Sequence, residues 1–212
     1  MTKERCFEIV KKMDISRNMD SYDIETKLEE LGLDREVSCS HGVTKMCLIF
    51  KDTDFVLKWT KSVCWFSNAE KDEAYEEYEI YLKAKEKGLE KMFPYTELLG
   101  RVNNIPIILQ EKIDFSCDDC PYPKTVRYKE ITKTAKQKVY FKMCDGFWVQ
   151  GCCYNRELNE LWAKMTLILY GKNFVKKLCE FIQENRINDL HGSNLGYKNN
   201  KPIILDFSGF YR

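Results

Sequence analysis

Residues 187–212 read INDLHGSNLGYKNNKPIILDFSGFYR. This stretch holds Asp189, Asn194 and Asp206, three oxygen-bearing side chains suited to a hard cation, inside 26 residues. Two short apolar pieces, NLGY and PIILDF, flank the turn residues KNNK, so the pattern predicts a β-turn-β unit ending in an aspartate. A polar loop followed by a strand pair is a way to hold such side chains in fixed register.

The chain has 212 residues with 44% hydrophobic and 13% aromatic side chains, enough for a packed core and against wholesale disorder. Its 34 basic and 33 acidic residues nearly cancel, which argues against a protein built to coat nucleic acid. The opening MTKERCFEIVKK lacks the apolar run of a signal peptide, and the runs IPIIL and MTLILY are too short to span a bilayer. We therefore expect a cytoplasmic protein with no membrane partner, whose ten cysteines are reduced thiols.

Residues 3–13 and 21–31 read as two short helices, the second stopped by Gly32. Three strand patterns follow, REVSCS, KMCLIF and DFVLKW, joined by the turns HGVT and KDTD. Residues 68–88 carry Ala74, Glu77, Tyr78, Tyr81 and Ala84 on one helical face and end at Gly88. The strands TELLGRV and IPIILQEKI surround an Asn-Asn hairpin turn. Residues 115–155 hold five cysteines and a basic run and give no clear pattern, whereas 155–170 and 172–185 are helical patterns broken at Gly171. The fold class is α+β.

The order β-β-β-α-β-β, insert, helices, polar loop and β-turn-β resembles the protein-kinase-like superfamily. D-L-H-G-S-N at 189–194 is similar to its catalytic loop, in the wording of the aminoglycoside and choline kinases; Asn188 stands where the protein kinases have Arg in HRD. By that resemblance Asp189 orients or deprotonates the acceptor hydroxyl, and Asn194 ligates Mg²⁺. Asp206-Phe207-Ser208-Gly209 resembles DFG with a substituted or inserted residue, which makes Asp206 the second Mg²⁺ ligand. Lys58, in FVLKW, is similar to the third-strand lysine that binds ATP phosphates; Glu77 is its implied partner, with Glu73 one turn away as competitor. S-H-G-V-T-K resembles the phosphate-covering loop with a single glycine, so Gly42, Thr44 and Lys45 are candidate phosphate contacts. L-Q-E-K-I resembles the hinge, with Gln110 as gate and backbone groups of Glu111 and Ile113 facing the adenine.

Plainer readings stand beside these. Lys58 and Glu77 also suit a structural ion pair, Asp189 a helix-end cap, His191 a loop-structuring role, and the acidic positions Glu73, Glu76 and Glu79 a solvated helix face. Cys117 and Cys120 have the spacing of a zinc half-site, but no second half follows, so unligated thiols are the default. The run KTVRYKEITKTAKQKVYFK carries seven basic residues and reads as a solvated segment or a docking patch for an acidic partner, with nucleic acid the less favoured ligand.

The resemblance implies one kinase-like domain, 1–212: a helical extension at 1–34, a lobe at 35–113 with a five-stranded antiparallel sheet and one main helix, and a reduced, mainly helical lobe at 114–212. It is similar to small bacterial and phage kinase-like proteins that end just after the DFSG motif, without activation loop or remaining helical lobe. The implied activity is ATP- and Mg²⁺-dependent phosphoryl transfer, first to protein Ser/Thr. A pseudokinase that binds nucleotide or docks a host protein is the alternative, and a small-molecule kinase the weaker one.

Overall fold

The computed structural model describes residues 1–42, 44–61, 72–115, 156–187, 190, 194–199 and 201–208. The insert with Cys117 and Cys120, the basic run, and the loop residues Asp189 and His191 lie outside the described residues. The chain divides into two compact units, Met1–Leu82 with Tyr95–Lys112, and Lys83–Pro94 with Ile113–Arg212.

In the first unit, α1 (Lys3–Met13) and α2 (Ser21–Glu30) precede β1 (Val37–His41), β2 (Lys45–Phe50) and β3 (Phe55–Thr60). Next come α3 (Glu73–Glu86), β4 (Thr96–Val102) and β5 (Ile105–Glu111). The strands form a five-stranded antiparallel sheet in the order β1-β2-β3-β5-β4. The helix starts follow from local chemistry. Thr2 caps α1 by accepting from the Arg5 N–H, and Asp20 and Asp23 exchange side-chain and backbone bonds in a capping box at α2. At the β4–β5 hairpin, Asn103 and Asn104 both take positive φ, as the Asn-Asn pair predicts.

Strand register sorts side chains between the two faces, because directly paired residues share a face. Met46, Leu48 and Phe50 of β2, Leu57 and Trp59 of β3, and Ile107 and Leu109 of β5 turn to one side. They are buried there with Cys6, Ile9, Val10 and Met13 of α1 and Ile24 and Leu28 of α2. The two N-terminal helices therefore cover the sheet. Their seat is close at Gly100, whose φ is +153° and where an added Cβ would lie 2.8 Å from the Phe7 ring. Gly100 also follows the register irregularity in β4, so the strand bends where α1 approaches.

Lys45, Cys47, Lys58, Thr60 and Gln110 turn to the opposite side, where α3 packs. Asp72 anchors the start of α3: its carboxylate accepts from the Tyr75 N–H, the Thr60 hydroxyl and the Arg17 guanidinium. Arg17 comes from the connection between α1 and α2, so the N-terminal extension is tied to the start of α3 as well as to the sheet.

In the second unit, α4 (Arg156–Glu184) is interrupted at Gly171, whose backbone is non-helical at φ 79° and ψ 170°. This is where the sequence divides the two helical patterns. Trp162, Met165, Leu178, Phe181 and Ile182 are buried. β6 (Asp114–Phe115) joins β7 (Leu195–Lys198) and β8 (Lys201–Ile204) in a three-stranded antiparallel sheet. The expected hairpin thus gains a third strand from Asp114 and Phe115, the two residues that follow IPIILQEKI; β5 ends at Glu111 and the chain changes sheets. The Trp162 indole N–H donates to the Ile203 carbonyl at 3.1 Å. Among the described residues no helix is long and apolar enough to cross a membrane.

Candidate functional site

The first unit gathers its charged candidates on the α3 side of the sheet. Strand alternation brings Lys45 and Cys47 of β2 to that face; Cys47 sits opposite Lys58, and Lys45 opposite Thr60. On β5, Gln110 lies opposite Val56 and Thr96, and shares the face. Glu77 enters from α3 and is completely buried.

Burying a carboxylate is costly unless charge and hydrogen bonds are returned to it. Glu77 receives both. Its Oε1 accepts from the Lys45 ammonium at 2.9 Å, and its Oε2 accepts from the Gln110 amide at 3.2 Å. Lys58 Nζ stands 3.7 Å from Oε2, an ion pair beyond hydrogen-bond reach. Gln110 also donates to the Thr96 hydroxyl at 3.3 Å, which fixes the direction of its amide. The Lys45 side chain is 8% exposed and that of Lys58 16%, so the more deeply buried lysine holds the carboxylate more tightly.

The sequence pattern assigns Lys45 to the phosphate-covering turn and pairs Glu77 with Lys58. The structure places Lys45 on β2, inside the sheet, with its ammonium on Glu77. The signal was present in KMCLIF: if Met46, Leu48 and Phe50 face the core, Lys45 must face the other way with Cys47. Between the two acidic candidates, Glu77 takes both lysines, while Glu73 lies 3.9 Å from Lys45 and remains partly exposed. The solvated-face reading applies to Glu79, which is exposed; Glu73 and Glu76 are half-buried.

The remaining turn residues are less committed to any ligand geometry. Gly42 donates its N–H to the Lys45 carbonyl at 3.0 Å, closing the β1–β2 connection, and the Thr44 carbonyl accepts from the Lys61 N–H at 2.9 Å, which extends the β2–β3 pairing. At the end of β5 the Glu111 N–H donates to the Tyr95 carbonyl at 2.9 Å. Lys112 is fastened to the β2–β3 turn, donating its ammonium to the carbonyls of Phe50 and Thr53. Ile113 is half-buried at the start of the second unit.

Cys47 forms part of the floor beside Lys58. Burial pushes its thiol up to about 11, and Glu77 adds to the rise while Lys58 opposes it. It stays a neutral thiol at physiological pH and does not compete with Glu77 for the lysine charge.

In the second unit the β7–β8 hairpin sets the position of the two metal candidates. Leu195 pairs with Ile204, and one step outward the Leu205 N–H donates to the Asn194 carbonyl at 2.9 Å. Asn194 and Asp206 therefore stand at the same open end of the hairpin. Asn194 is buried and Asp206 half-buried, and each has further interactions. Phe207 is wholly buried, with its ring 5.0 Å from Phe93, edge to face, and this anchors the backbone beside Asp206. One amide oxygen and one carboxylate are hard donors of the kind Mg²⁺ accepts alongside phosphate and water. Asp189 lies outside the described residues.

No family model, curated protein or solved structure matches this chain.

Proposed function

We propose that this protein is a minimal kinase-like phosphotransferase that uses ATP and Mg²⁺, with protein Ser/Thr as the acceptor class. The observation that carries the reading is the third-strand Lys58 paired with a wholly buried Glu77 from the helix between β3 and β4. Phosphoryl transfer depends on holding phosphates and aligning an acceptor, and a lysine held by a helix carboxylate is one of its recurring parts. Asn194 and Asp206, brought to one hairpin end, supply a second part.

In this reading Lys58 meets the phosphate oxygens of ATP, and Glu77 sets its direction. Asp189 aims the acceptor hydroxyl and takes its proton as the new oxygen–phosphorus bond forms and the bond to ADP breaks. Asn194 and Asp206 would hold Mg²⁺, which when bound offsets the charge on the phosphates.

The test is thermal unfolding with and without Mg²⁺-ATP, on the native chain and on Asp206→Ala. Ligand at 100 times its dissociation constant adds about 2.7 kcal/mol, on the order of several degrees for a chain of this size. A Mg²⁺-dependent rise that Asp206→Ala removes supports the assignment. No rise at millimolar ATP overturns it. A rise without label transfer from γ-labelled ATP to protein, aminoglycoside, choline or sugar acceptors moves the function to a nucleotide-binding docking module.

A further inference from the structure

Two lysines converge on Glu77, but they hold it differently. Lys45 hydrogen-bonds one carboxylate oxygen at 2.9 Å, and Gln110 hydrogen-bonds the other at 3.2 Å. Lys58 approaches only to 3.7 Å and forms no hydrogen bond within the described residues. Its ammonium is also the more exposed of the two.

With one lysine, a site of this kind faces a conflict. Any anion that draws the lysine forward strips the buried carboxylate of its counter-charge. Here the buried charge is already answered by Lys45 and the amide, both fixed on strands of the sheet. We infer that Lys45 is a positioning residue: it carries the electrostatic load of Glu77, so that Lys58, steered but not consumed by the carboxylate, is released to a triphosphate. The identification of the ligand as a nucleotide triphosphate rests on the function proposed above; the division of labour between the lysines rests on the geometry alone. Glu73, 3.9 Å from Lys45, adds a second negative charge on the Lys45 side and increases the hold on that lysine.

The experiment compares Lys45→Met, Lys45→Arg and Lys58→Met with the native chain. It reads the melting temperature without ligand, and the dissociation constants for sodium tripolyphosphate and Mg²⁺-ATP well below the melt. Lys58→Met is expected to lower the melting temperature less than Lys45→Met does, and to abolish binding of both probes. Lys45→Met is expected to weaken both probes by about tenfold or more, because Lys58 must then serve Glu77; Lys45→Arg restores them. Should Lys45→Met fail to fold, Lys45→Gln removes the charge while leaving a polar side chain beside Glu77, and gives the same weakening.

A lysine that merely supports the fold would leave the affinities of the folded protein unchanged, and that result overturns the inference. So does a larger loss of stability in Lys58→Met than in Lys45→Met, or a native chain that binds neither probe. Native binding of tripolyphosphate without ATP removes the kinase reading and leaves this inference standing. Native ATP binding that is indifferent to Lys45 does the reverse.

Discussion

One face of the five-stranded sheet sets Leu48, Leu57, Trp59 and Ile107 against α1 and α2; the other sets Lys45, Lys58 and Gln110 against Glu77 of α3. The same strands build both, and alternation along each strand assigns alternate residues to opposite jobs. The apolar face is a sum of many small contacts, so each residue contributes roughly in proportion to its size. The charged face works as a unit, in which removing one member leaves another stranded. The first design supplies stability, and the second holds a few side chains in fixed directions.

The largest effect on the apolar face is expected from Trp59→Ala, at about 3–5 kcal/mol, because a large ring in a closed core leaves a cavity. Chemical denaturation measures it, and a loss below about 1 kcal/mol would mean that the core is not packed as described. On the charged face Lys45→Met should cost about 3 kcal/mol by removing the one ammonium that hydrogen-bonds the buried Glu77. Adding Glu77→Leu to that variant should return the fold to within about 1 kcal/mol of the native chain. No such recovery is expected on the apolar face, where losses accumulate, so a double variant worse than the single would erase the contrast.

A smaller effect sharpens the comparison through cysteine. Cys6 lies on the apolar face and Cys47 on the charged one, yet burial pushes each thiol from an ordinary 9.0 up to about 11. The folded chain then holds protons that the unfolded chain has lost. The stabilisation is complete below about pH 9 and falls as pH rises toward 11. For Cys47 the loss is about 1 kcal/mol by about pH 10. Urea unfolding of the native chain and Cys47→Ala at about pH 8 and about pH 10 should show a steeper decline in the native chain. Equal slopes would show that the fold does not raise the Cys47 thiol.

The smallest effect belongs to the link between the faces. Arg17→Ala breaks the pair with Asp72, and the exposure of Arg17 limits the loss of global stability to about 1 kcal/mol or less. Because Asp72 also caps α3, amide exchange in the first turn of that helix should rise more than exchange in the sheet. Uniform change across both would show that α1 and α2 do not steady the helix that carries Glu77.

Much of this architecture is legible in order along the chain. The capping residues Thr2 and Asp20, the Asn103-Asn104 turn and the Gly171 break act locally, so sequence spacing suffices to find them. β6 was missed because a two-residue strand has no periodicity of its own and exists only through its pairing with β7. The covering role of α1 and α2 was open for a similar reason: an apolar helix face announces that it will be buried, but not against what.

The sequence by itself determined which residues carry charge, where strands alternate, and that Glu77 shares a helical face with buried positions. Tertiary structure decided the pairing. Register set Lys45 opposite Thr60 and Lys58 opposite Cys47, and the placement of α3 brought the Glu77 carboxylate within 2.9 Å of one ammonium and 3.7 Å of the other. Such a choice turns on less than an ångström between groups far apart in the chain, and only the packing of helix on sheet fixes it.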